Sequence, residues 1–171
     1  MNKYRTRRTE GSKSRWRAVL LLAATVSLGV VGLGASAASA ATSAVPFGFA
    51  VSGTASLAGS AVTLNGAGLA SSLGIVSYKA TGMITGDNPT TGVITDTLTE
   101  TLTAANGSTV TIVCHQVATP ISSGVYNGID HWTVTGGTGT FSRATGSGAG
   151  DTHVNLNLGT FTKVESGTIT R

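Results

Sequence analysis

The sequence has little of what usually carries chemistry. One residue in 171 is cysteine, Cys114, so a disulfide within the chain is excluded, as are the paired-cysteine spacings of zinc sites. Charged residues make up 11% of the chain and aromatics 5%. No stretch sustains an apolar period of 3.6 residues, so no amphipathic helix is expected. No Gly-x-Ser-x-Gly elbow is present, and no glycine-rich loop runs into a Lys-Ser or Lys-Thr pair. Serine-hydrolase and nucleotide-binding chemistry therefore have no foothold.

The net charge of +4 is misleading. Lys3, Arg5, Arg7, Arg8, Lys13, Arg15 and Arg17 crowd the first seventeen residues, against Glu10 alone. An apolar run, residues 18–34, follows, and then small residues ending in Ala38-Ser39-Ala40. A basic start, an apolar middle and an A-x-A-like end are the parts of a secretory signal peptide. The expected cleavage is after Ala40, with Ala37 as the alternative. At about 17 residues the apolar run is at the lower limit for a spanning helix. Arg7-Arg8 is followed by Thr9-Glu10 and lies well ahead of that run, which favours the general secretory route over the twin-arginine one.

The expected organisation is thus a signal peptide, 1–40, and one secreted domain, 41–171. The domain keeps Lys79, Arg143, Lys163 and Arg171 against six acids, a net charge of −2. With no basic patch there is no electrostatic footprint for nucleic acid. After cleavage no segment remains that would hold the protein stably in a membrane.

Glycine, threonine and serine are abundant. Thr, Ser and Gly alternate with Val, Ile and Leu, with Gly or Asn-Gly between runs. That pattern predicts an all-β domain of eight strands, at about 46–57, 61–69, 74–84, 93–104, 108–118, 129–135, 146–157 and 160–170. Residues 118–128, with Pro120, read as the longest surface loop.

Asn106-Gly107 marks a hairpin. A two-residue loop would set the Thr face of one strand against the apolar face of the other. The three-residue loop Ala105-Asn106-Gly107 instead sets Leu102 opposite Val110, Glu100 opposite Ile112, Leu98 opposite Cys114 and Asp96 opposite Gln116. Because a one-residue slip flips every side chain, the pattern selects this register. The resulting face joins Leu98, Leu102, Ile112 and Cys114 to Asp96, Glu100 and Gln116. If it turns inward, Asp96, Glu100, Cys114 and Gln116 are the candidate ligand-binding residues, and Lys79 is the candidate partner for one of the acids. Cys114, alternating with Val110 and Ile112, reads as a small buried apolar residue.

Residues 134–148, VTGGTGTFSRATGSG, hold five glycines. They lie between two strand patterns rather than before a helix, and Phe141 in their midst calls for burial. The stretch reads as a structured corner, with Gly136, Gly137 and Gly139 permitting positive φ. Asp151, His153, Asn155 and Asn157 share one polar face, read as solvent-facing, and His115 also reads as exposed. No third ligand joins Asp151 and His153, so no metal site or cofactor is expected.

The corner carries a family resemblance. Gly136, Gly137, Thr138, Gly139, Phe141, Ala144 and Gly146 match the Gly-Gly-Thr-Gly-x-Phe…Ala-x-Gly motif of the allene oxide cyclase and dirigent-like barrels, and small secreted bacterial proteins with this corner look closer still. The chain departs from plant dirigent sequences at Thr140 and Thr145, where those usually carry basic residues. The resemblance implies a single eight-stranded antiparallel β-barrel, a fold in which closure removes sheet edges. It also implies a tendency to self-associate as homo-oligomers. None of the family's catalytic acids maps onto a position here. The expected role is therefore a non-enzymatic extracellular barrel holding a small apolar ligand or associated with a surface, with a cyclase or dirigent-type guide as the rival.

Overall fold

The computed structural model describes residues 43–171; the leader expected at residues 1–40 lies outside the described residues. Eight antiparallel strands form a closed barrel in chain order: β1 (Val45–Ala58), β2 (Ala61–Ala70), β3 (Gly74–Asp87), β4 (Ile94–Ala104), β5 (Thr109–Ser122), β6 (Val125–Gly137), β7 (Thr145–Asn155) and β8 (Thr160–Thr170). β8 returns to pair with β1, so no edge is left open.

The alternation read from the sequence is the alternation of the wall. On β4, Asp96, Leu98, Glu100, Leu102 and Ala104 are buried, and threonines occupy the positions between. Its register with β5 is that of the three-residue loop: Leu102 with Val110, Glu100 with Ile112, Leu98 with Cys114, Asp96 with Gln116. Gly107 takes the left-handed conformation, φ 81°, that this loop requires.

The expected loop at 118–128 is instead two strand ends and a tight turn. β5 continues to Ser122 and β6 begins at Val125, with Gly124 at φ 72° between them. Pro120, which lacks an N–H to donate, sits where the β5–β6 ladder shifts register between Pro120 and Ser122.

The two ends of the barrel differ. At one end the corner folds into a single 3-10 turn, Gly139–Phe141, and Phe141 is buried as a plug. The guanidinium of Arg171 lies 5.3 Å from the centre of the Phe141 ring. The glycines have different tasks from those expected. Gly139 alone of the three has positive φ, 61°. Gly137 is required for space, since a Cβ there would lie 2.5 Å from the Thr109 carbonyl oxygen. A belt of aromatics crosses the barrel above the plug, with Phe47 and Trp132 edge to face at 6.0 Å and Tyr78 5.6 Å from Phe161. The other end carries the β1–β2, β3–β4, β5–β6 and β7–β8 turns.

Candidate functional site

The barrel interior holds four carboxylates and one amine: Asp96 and Glu100 from β4, Asp130 from β6, Lys163 and Glu165 from β8 are all buried. Small residues make the room. On β7 a Cβ at Gly150 would come 2.4 Å from Glu165 Oε2, and one at Gly148 would come 2.4 Å from the Trp132 ring. β7 thus supplies space that β6 and β8 fill.

Lys163 is the hub. Its Nζ lies 2.8 Å from Glu100 Oε1, 3.0 Å from Asp130 Oδ2 and 3.1 Å from Glu165 Oε1, with all of these side chains sealed from solvent. It also donates to Cys114 Sγ at 3.5 Å. Burial works against its charge, but the neighbouring carboxylates, Glu100 foremost and Asp130 with it, outweigh that and hold the ammonium well above its ordinary range.

One cation cannot neutralise four anions, and the acids divide accordingly. Asp130 is the best served. Gln116 Nε2 donates to its Oδ1 at 2.7 Å, and Thr152 and Lys163 donate to its Oδ2. Burial works against its charge, but Lys163 and these hydrogen bonds hold its carboxyl below the ordinary range. Glu165 is pushed up to about 8 by burial, only partly offset by Lys163. Glu100 is raised by burial as well, against the pull of Lys163. Burial pushes the Cys114 thiol far up, so it is a neutral apolar filler at neutral pH, without thiolate reactivity.

Cys114, Asp130 and Glu165 place their ligand atoms within 4.8 Å of one another, close enough to share a metal ion. Lys163 touches all three, so its ammonium already occupies the cation's place.

Asp96 stands apart, nearer the mouth opposite the Phe141 corner. It is 4% exposed, and its Oδ1 has no hydrogen-bond partner among the described residues. Burial first, then the negative charge of Asp130, raises it to about 6. It borders a cavity of about 40 Å³ at the mouth, whose wall includes Ala55, Val62, Leu64, Ile84, Leu98, Ala118, Val154 and Leu156, with Ser56, Gln116 and Tyr126 as the other polar neighbours. That is room for roughly two or three water-sized groups.

Of the residues the sequence singled out, Asp96, Glu100, Cys114 and Gln116 all point inside. They separate by depth: Asp96 and Gln116 line the mouth cavity, whereas Glu100 and Cys114 belong to the Lys163 cluster. Lys79 is not their partner. It faces outward opposite Thr101, in the same set as Ile75 and Met83, which are 73% and 55% exposed. The inward set of β3 is Val76, Tyr78 and Ala80.

Asp151 and His153 are exposed on the outer wall, where His153 Nδ1 meets Asn127 Oδ1 at 2.8 Å. His115 is likewise outside, bonded to Thr97 at 3.0 Å. Asp130, Lys163, Glu165 and Thr152 are site residues that the sequence reading passed over. The signal was present on β8, where Phe161, Lys163, Glu165 and Ile169 fall on one alternating face. The two flanking apolar residues mark that face as inward.

No family model, curated protein or solved structure matches the chain.

Proposed function

We propose that the protein is exported with loss of residues 1–40 and acts outside the cell as a non-catalytic barrel that holds a small, slender apolar molecule in its mouth. The observation that carries this reading is the mouth cavity, an apolar hollow ending on one unpartnered carboxylate oxygen of Asp96. Ligand pockets are mostly apolar with few orienting polar groups, and eight-stranded barrels are wide enough for one small ligand. The Phe141 plug closes the far end, so a ligand enters and leaves by the same opening.

Holding fits this geometry better than turnover. The deeper acids are tied to Lys163 and are not free to exchange protons with a molecule in the mouth. The cyclase or dirigent-type reading, suggested by the corner motif, rests on Asp96 alone, an acid near pKa 6 in an apolar hollow.

The test uses protein secreted into the medium, which should begin near Ala41. Titration with 1-hexanol, followed by NMR, is expected to give saturable shifts at Ala55, Leu64, Leu98 and Val154 and none at Phe141 or Ala144. Uniform or non-saturating shifts for hexanol, hexylamine and hexanoate alike would overturn the reading.

A further inference from the structure

Two of the polar groups lining the mouth cavity, Asp96 and Gln116, present acceptor oxygens. Asp96 Oδ1 is unpartnered and buried. Gln116 also lines the cavity, and its amide nitrogen is committed to Asp130 Oδ1 at 2.7 Å. An ionised Asp130 requires the NH₂ group on its side, which leaves the Gln116 amide oxygen to accept. A ligand end that brings donors and no lone pair is therefore the chemical complement of these two oxygens.

Charge points the same way. The one buried ammonium lies among Glu100, Asp130 and Glu165, not beside Asp96, and even with Glu165 holding its proton it must serve Asp130 before Asp96. The groups acting on Asp96 are Asp130 on β6, Lys163 on β8 and Glu100 on its own strand; the repulsion from Asp130 exceeds the attraction from Lys163. A second cation at Asp96 would relieve a surplus of negative charge in a region shielded from water, where electrostatic interactions are strong.

Size narrows the choice. A cavity of about 40 Å³ admits an ammonium group and a methylene or two but not a guanidinium with its five N–H groups or a ring. Leu64, Leu98 and Ala118 then receive an unbranched stem.

We propose that the mouth site selects small primary aliphatic amines, with the ammonium donating to Asp96 Oδ1 and to the Gln116 amide oxygen and the alkyl stem directed out between β2, β4 and β7. This rests on the reading of the mouth as a ligand site.

Hexylamine, 1-hexanol and hexanoate are matched probes for a test by NMR titration and calorimetry at pH 7.5, where Asp96 is ionised. Hexylamine is expected to bind roughly tenfold more tightly than hexanol, the worth of one charge-assisted hydrogen bond, and hexanoate more weakly than either. In Asp96→Asn the advantage of the amine over the alcohol should vanish, and in the unaltered protein it should fade as pH drops below 6. Equal binding of amine and alcohol, or an amine preference that survives Asp96→Asn, overturns the assignment while leaving a ligand-holding mouth in place. Binding of none of the three overturns the site itself.

Discussion

Lys163 shows how one residue can set the character of an interior. Its ammonium is in contact with three carboxylates, all sealed from water. Removing one partner of a buried ion pair costs about 3–5 kcal/mol, because the remaining charge is stranded. Lys163→Met should therefore destabilise the barrel by about that much at pH 7.5 in urea denaturation. At pH 4.5 the loss should be smaller, since Glu165 is then protonated in either protein. Asp130→Asn added to Lys163→Met should restore part of the loss at pH 7.5. An equal loss at both pH values would mean that Lys163 matters for packing its stem, not for its charge. The sequence hid this residue for a physical reason. A Thr-Phe-Thr-Lys-Val-Glu-Ser run gives a charged residue the same alternating place that an apolar one would hold. Only the closed wall, with Asp130 and Glu100 brought opposite, makes burial of Lys163 affordable.

At the scale of elements, legibility followed contrast between faces. β4 and β5 could be registered from sequence because one face is threonine and the other is not, and because Asn106-Gly107 fixes the loop. β6 and β7 offered no such contrast. Their inward positions include Gly128, Asp130, Gly148 and Gly150, which neither look apolar nor announce a core. Pro120 and the two serines after it likewise disguised a strand end as a loop. The glycine corner was readable because Phe141 stands alone among small residues. Its turn is secured by backbone bonds from Phe141 N to Thr138 O at 3.1 Å and from Ala144 N to Phe141 O at 3.0 Å. Phe141→Ala removes the plug from a rigid frame that cannot collapse around it, so a loss of about 3–5 kcal/mol is expected. The Arg171 guanidinium would lose its aromatic face as well. A melting temperature unchanged by the substitution would show that the corner holds itself without the ring.

Over the whole molecule, charge has been moved inward. Of the six acids beyond residue 40, four are buried and only Asp87 and Asp151 face water, while Lys79, Arg143 and Arg171 are outside. This inverts the usual response to pH. An unfolded chain releases the protons of Asp96 and Glu165 near the ordinary values of about 3.9 and 4.3. The folded barrel keeps them until about 6 and about 8, because burial disfavours both anions. Between those limits the folded state binds more protons than the unfolded one, so stability falls as pH rises. The slope is about 1.4 kcal/mol per pH unit for each proton held; Asp96 and Glu165 hold two from about pH 4.5 to 6 and one from 6 to 8, and the raised Glu100 adds in the same sense. Asp130 acts in the opposite sense, since its lowered carboxyl withdraws stability only when pH falls below its ordinary range. Thermal stability should therefore be highest near pH 4.5 and decline toward pH 8, by roughly 5 °C per unit over the upper part of that range. Glu165→Gln, which keeps an uncharged donor in place, should flatten the decline between pH 6 and 8 and melt above the unaltered protein at pH 8. Melting curves recorded at each pH unit from 4 to 8 check this. A melting temperature that climbs from pH 5 to 8 would mean that the interior carboxyls ionise freely and that the single lysine was never short of capacity to hold them.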